Sequence, residues 1–160
     1  MWLLPIAAGT TQRKETMKTK QYISIVLTLT LLLLWIPVAI EKLFDLDTFR
    51  YAILRQPLPY EVAYTAIYTL PALEVLAVVL LVFPQWRRAG FLLSAVLMAL
   101  FTGYIGLALL GTWDRLPCGC GSVISGMSWT QHLWFNLFFL GVSVVGVKLE
   151  GMGGRVRSYE

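Results

Sequence analysis

Four apolar runs, at about 22–43, 62–83, 89–111 and 129–148, each reach the roughly 20 residues a helix needs to cross a hydrocarbon layer about 30 Å thick. A chain built this way has few options. An isolated segment in lipid must satisfy its own backbone donors and acceptors, so the runs are helices and the fold class is all-α: an integral membrane four-helix bundle. Composition agrees, because 58% of the 160 residues are hydrophobic and 14% charged, too little polar surface for a soluble domain. One membrane domain over 22–148 is expected, between an N-terminal segment (1–21) and a tail (149–160).

Charge placement gives the orientation. The net charge of +4 forms no continuous basic face, which argues against nucleic acid as a partner. Arg13, Lys14, Lys18, Lys20, Arg87, Arg88, Lys148, Arg155 and Arg157 fall on one side of the four runs, against Lys42, Arg50, Arg55 and Arg115 on the other. The excess marks the cytoplasmic side, so both termini are expected inside and the loops 44–61 and 112–128 outside, on the periplasmic face of a bacterial inner membrane. The stretch "MKTKQYISIVLTLTLLLL" from Met17 has the basic start of a secretory signal. It continues through "WIPVAIEK" with no small-x-small cleavage site and is expected to stay as an anchor. Residues 1–16 carry no functional signal.

Both cysteines of the chain, Cys118 and Cys120, stand in the glycine-flanked stretch "LPCGCGSVISG" of the second outer loop. A disulfide needs its Cα atoms about 4.4–6.8 Å apart, near the upper limit for residues two apart on an extended chain, so the pair bonds only where the chain turns. Gly119 and Gly121 permit the turn. So small a ring removes little unfolded-state entropy, which favours an exchanging pair over a structural bridge. A static disulfide and a Cu(I) or zinc site are the alternatives, the metal weakened because only His132 and Met127 stand near enough to complete the ligands.

Other polar residues stand out against the apolar background. His132, the one histidine, falls in the first turn of the fourth run and shares a face with Asn136; it reads either as a proton carrier and quinone hydrogen-bond partner or as a polar pin between helices. Glu74 lies within the second run, where an ionised acid costs several kcal/mol unless paired, and is either a proton-handling group or a bond to a neighbouring helix. Lys42 either snorkels or pairs with Glu41, Asp45 or a thiolate. Pro37 and Pro71 each remove a backbone donor within a run. Ala95, Ala99, Gly103 and Gly106 predict a close-packing face on the third helix, and most tryptophans, including Trp86, Trp113, Trp129 and Trp134, read as interfacial anchors. Between the first two runs, "DLDTFRYAILRQPLP" predicts a short interfacial helix with Asp47 as its cap, Phe49, Ala52 and Ile53 on one side, and Pro57 as its stop. Ser128 and Gln131 have capping-box spacing at the start of the fourth helix.

Taken in order, "KLFDLDTF", "LPALEVL", "LFTGYIGLALL" and "LPCGCGSVISGMSWTQHLWFNLFF" resemble the MauE branch of the DoxX-like, redox-associated membrane proteins, over about 30–148. The resemblance implies a four-helix membrane protein with a role in maturing the disulfide-rich small subunit of a periplasmic methylamine dehydrogenase. It also implies that Lys42, Asp45, Glu74, Cys118 and Cys120 match the recurrent pattern of the family. Methylamine-cluster members read "CGCFG", whereas here "SVISGMSW" follows Gly121; the departure leaves both thiols in place.

The function expected from these features is thiol-disulfide exchange between Cys118/Cys120 and an extracytoplasmic thioredoxin-like or cysteine-rich protein, with His132, Glu74 and Lys42 as further catalytic candidates. No cofactor is required by the sequence. Quinone is the candidate for carrying electrons away, bound beside Trp129, Tyr104 and Asn136, since no second cysteine pair is present to relay them. The rival readings are a non-enzymatic assembly factor working with other membrane subunits, and copper handling.

Overall fold

The computed structural model describes residues 6–112 and 127–157, and every described regular element is an α-helix. They are α1 (Ile6–Phe44), α2 (Leu46–Leu54), α3 (Tyr60–Val82), α4 (Arg87–Leu109) and α5 (Trp129–Arg157). Among the described residues four stretches are long and apolar enough to cross a membrane: Met17–Phe44, Tyr60–Val82, Arg87–Leu109 and Trp129–Gly151. Four crossings return both termini to the same side.

The bundle is held like a membrane protein rather than a globule. At most 33% of any of the four apolar windows is buried inside it, and residues such as Leu33, Leu100 and Phe138 face outward over most of their surface. In water such a surface would aggregate; in lipid it is the solvated side. Hydroxyls within the helices bond back to their own backbone, as Thr28 does to the Ser24 carbonyl at 2.8 Å, Thr69 to Thr65 at 2.9 Å and Ser143 to Phe139 at 2.8 Å. That is the local solution where no water is available.

Packing runs round a ring in which α1 neighbours α3 and α5, and α4 neighbours α3 and α5, with α4 and α5 in the most extensive contact. Leu31, Leu34, Trp35, Ala77, Leu81, Phe91, Leu97 and Met98 form the central apolar cluster. Trp35 is fully buried and its indole N–H donates to Ser94 Oγ at 3.0 Å, so the polar tip of a large apolar side chain is satisfied between α1 and α4. The close approaches occur at Gly90, where an added Cβ would lie 2.8 Å from the Leu81 backbone nitrogen, and at Gly146, where it would collide with the ring of Phe91. Among the described residues, no helix packs closely onto the expected small-residue face at Gly103 and Gly106. Ala99 and Gly103 are exposed, and a Cβ at Gly103 or Gly106 would meet nothing within 4 Å. The twist of the bundle turns this stripe toward lipid and puts Ser94, Leu97 and Met98 inward instead.

Two polar layers mark the ends. At the α3–α4 turn, Ser24 Oγ donates to Glu150, whose carboxylate also stands 4.0 Å from Arg87 Nη1, joining α1, α4 and α5. Lys42 lies eighteen residues further along α1, about 27 Å at 1.5 Å per residue, which approaches the thickness of the hydrocarbon layer. This second end carries α2, whose Phe49 and Ile53 pack on Ala63 and Ile67 of α3 while Arg50 and Arg55 stay exposed.

Its cap is Asp45, not Asp47 as the sequence predicts. Asp45 is the one residue between α1 and α2, with φ −130° and ψ 60°, and its carboxylate accepts from Thr48 N at 3.1 Å. Asp47 falls inside the first turn, where its charge meets the positive end of the helix. Helices α1 and α3 run on through Pro37 and Pro71, and α1 and α5 extend beyond the apolar runs at both termini.

The two stems of the segment 113–126 are closed by local hydrogen bonds. Gly111 takes φ 73°, its N–H bonds the Ala108 carbonyl at 3.2 Å and Thr112 N bonds Leu107 O at 3.3 Å, the Schellman arrangement that a glycine one residue past the cap Leu110 allows. At the other stem Ser128 N donates to Gln131 Oε1 at 2.8 Å and Gln131 N to Ser128 Oγ at 3.3 Å, a reciprocal capping box.

Candidate functional site

Helical periodicity brings separate stretches of sequence to one place. On α1, Leu34, Val38 and Lys42 recur every fourth residue; on α3, Leu70 and Glu74 do the same. On α5, Trp129, His132 and Asn136 share a face, and Phe101 and Tyr104 share one on α4. These residues, with Phe49 of α2, line a cavity of about 90 Å3 at the α2 end of the bundle. Its walls are mainly apolar and aromatic, with a few polar groups converging on it, the usual composition of a small-molecule site.

The centre is an ion pair. Lys42 Nζ donates to Glu74 Oε1, joining α1 to α3, with the lysine side chain 7% exposed and the glutamate 0%. Lys42 therefore neither snorkels nor pairs with Glu41 or Asp45. From the last turn of α1 its side chain points back into the bundle, where the only buried acid described is Glu74. The ammonium also lies 5.0 Å from the Phe49 ring centroid and 5.9 Å from that of Phe101, so aromatic faces supply part of the solvation that water no longer gives. Glu74 bonds a neighbouring helix, but through a side chain and not through the backbone near Pro71.

The pair is incompletely satisfied. Glu74 Oε2 and Asn136 Nδ2 are buried without a hydrogen-bond partner among the described residues. Tyr104 differs, since its hydroxyl donates to Gln56 Oε1 at 2.7 Å and Gln56 Nε2 donates to the Ala52 carbonyl at 3.1 Å. This buried chain fixes α4 to the end of α2 and leaves the tyrosine ring as a wall of the cavity.

Six residues singled out in the sequence, Lys42, Glu74, Tyr104, Trp129, His132 and Asn136, thus line one cavity. Trp129 is half-buried in that wall, while Trp86 and Trp134 are exposed. Cys118, Cys120 and Trp113 lie outside the described residues, although both stems of their segment, Thr112 and Met127, belong to this end of the bundle. Asp45 caps α2 and does not line the cavity. Among the described residues no group of three or more His, Cys, Asp or Glu is placed to hold a metal ion.

A family model described as methylamine utilisation protein MauE matches residues 20–149. This chain belongs to the MauE family. The MauE match takes in two of the four crossings whole and all but the outermost few residues of the first and last, together with every cavity residue named above and both cysteines. No curated protein and no solved structure matches the chain.

The sequence reading missed Gln56, Phe49 and Phe101 as parts of this site. Gln56 stands in "RQPLP", where the prolines signal a stop and hide the role of the amide. Phe101 carried a usable signal, its three-residue spacing from Tyr104 inside a stretch already noted for its likeness to MauE proteins.

Proposed function

We propose that this protein is a thiol-redox component of the bacterial inner membrane that exchanges disulfides with an extracytoplasmic thioredoxin-like or cysteine-rich partner during protein maturation of the kind MauE proteins serve in methylamine utilisation. A thiolate of Cys118 or Cys120 attacks a partner disulfide, or the partner attacks theirs, and the mixed disulfide resolves to leave one protein oxidised and the other reduced. One observation carries the reading: the buried Lys42–Glu74 pair and the cavity around it lie at the same end of the bundle as both stems of the segment that holds the two cysteines. A structural bundle has little reason to keep a buried ion pair at this end, because apolar packing would serve stability as well. The positive-charge bias supports placing that end outside the cytoplasm.

The test is trapping. Cys118→Ser and Cys120→Ser single variants, expressed in the native host, are expected to accumulate a disulfide-linked partner visible on non-reducing gels and identifiable by mass spectrometry. Absence of any adduct with both variants, together with full activity of the double variant in cells, rejects the exchange reading. That result would favour an assembly subunit, for which the outward-facing Ala99 and Gly103 of α4 supply a surface where another membrane helix can approach closely.

A further inference from the structure

Buried polar atoms without partners are rare, and the cavity has two, of opposite kind. Glu74 Oε2 accepts, Asn136 Nδ2 donates, and both residues are at least nine-tenths buried, with 0% and 3% of their surfaces exposed. An occupant that completes them must offer an oxygen to the amide and, in at least one of its states, a hydroxyl to the carboxylate. Lys42 uses one of its three donors on Glu74 Oε1, so the ammonium can reach the same occupant. The remaining walls are mostly apolar, aromatic at Phe49, Phe101, Trp129 and Phe135 and aliphatic at residues such as Leu70. They suit a flat, apolar ring with polar atoms at its edges.

We infer that this cavity binds the headgroup of a membrane quinone, with Asn136 Nδ2 and Lys42 donating to its oxygens and Glu74 Oε2 accepting from the hydroxyl of its reduced form. The inference rests on the thiol-redox reading for its purpose, though not for the binding itself. The oxidised ring has two acceptor oxygens, which match the amide and the ammonium. The reduced ring has two hydroxyls, one of which supplies the donor that Glu74 Oε2 lacks. The electron balance closes: Cys118 and Cys120 as thiols lose two electrons and two protons, two S–H bonds break and one S–S bond forms. The quinone gains both electrons and both protons in two new O–H bonds. Lys42, bonded to Glu74, is placed to pass one proton to a quinone oxygen, and one of the two protons released by the thiols restores it. Water is the rival occupant, since a cavity of this size has room for several molecules and Lys42, Glu74 and Asn136 offer them bonds.

The experiment uses the full chain in lipid nanodiscs carrying both Cys118→Ser and Cys120→Ser, so that no thiol chemistry intervenes. Decylubiquinone is titrated against tryptophan fluorescence, and an azido-quinone is photolysed in the site and its adducts mapped. Saturable one-to-one quenching is expected, with adducts on α1, α4 or α5 at cavity residues. Asn136→Leu is expected to raise Kd about tenfold, the loss of one buried hydrogen bond to the ligand. Leu70→Phe, which fills the cavity without touching its polar groups, is expected to abolish saturation, and it serves also if Asn136→Leu fails to fold. Quenching that is non-saturable, or unchanged by both substitutions, means a cavity filled by water alone and overturns the inference. The outcomes separate cleanly from the thiol reading: a trapped partner without quinone binding removes the quinone site only, and quinone binding without any trapped partner removes the exchange partner only.

Discussion

Replacing Lys42 by methionine while Glu74 stays is expected to destabilise the bundle by about 3–5 kcal/mol, the usual result of removing one partner from a buried ion pair. The structure sets the size. Methionine keeps most of the lysine stem, so the apolar packing beside Phe49 and Phe101 survives and the loss is mainly electrostatic. At hydrogen-bond contact of about 3 Å and an effective dielectric constant near 20, the attraction forgone is about 5 kcal/mol. Glu74 is the fifteenth residue of the 23-residue α3 and 0% exposed, too deep to reach water when its cation is gone. The reciprocal change, Glu74→Leu, is expected at the lower end of the same range. Lys42 is in the last turn of α1 and can extend its stem toward the nearby membrane surface. The double variant Lys42→Met with Glu74→Leu removes both charges and is expected to return to within about 1 kcal/mol of the parent. The assay is unfolding in mixed micelles, titrated with SDS and followed by helical circular dichroism, on all four proteins of the cycle. A double variant no more stable than the weaker single one, or singles that each cost under about 1 kcal/mol, refutes the claim that the two side chains are energetically one unit.

Other consequences are open to measurement. Gly146→Val drives a branched side chain into the fully buried Phe91 ring and should cost about 1–3 kcal/mol in the same unfolding assay, whereas Gly103→Ala, with open space around it, should leave stability unchanged or slightly raised. Ser94→Ala leaves the buried Trp35 indole N–H without an acceptor and is expected to cost about 1–3 kcal/mol, with a change in the tryptophan emission that Ser94→Thr does not produce. Asp45→Ala should loosen α2 by about 1 kcal/mol, read as faster amide exchange over 46–54, and Asp47→Ala should have a smaller effect because it provides no capping bond. Gln56→Leu removes the 2.7 Å bond to the Tyr104 hydroxyl and is expected to speed exchange in both α2 and the end of α4.

The crossings were readable because lipid allows only two backbone solutions and the apolar runs were the length of one of them. Their ends were readable where local chemistry decides, as at Ser128 and Gln131, and misread at Asp45, where a single non-helical residue between two helices leaves no sequence mark beyond a choice of two aspartates. Which face of each helix turns inward was less legible. The moment of an apolar helix in lipid is weak, and a row of small residues such as Ala99 and Gly103 looks the same whether it meets a helix or acyl chains. The partner of Lys42 was hidden for a different reason. Residues 42 and 74 are 32 apart, and Glu41 and Asp45 are nearer acids in the sequence, but the lysine Nζ bonds Glu74.

The two stems flanking 113–126 are each tied off by their own hydrogen bonds, so the four crossings do not depend on what is strung between them. Closing a chain between two anchored points becomes only slowly more costly as residues are added, about 0.6 kcal/mol for each doubling. A stretch mounted in this way behaves as an exchangeable cassette. A change in its length would leave the bundle beneath it unaltered.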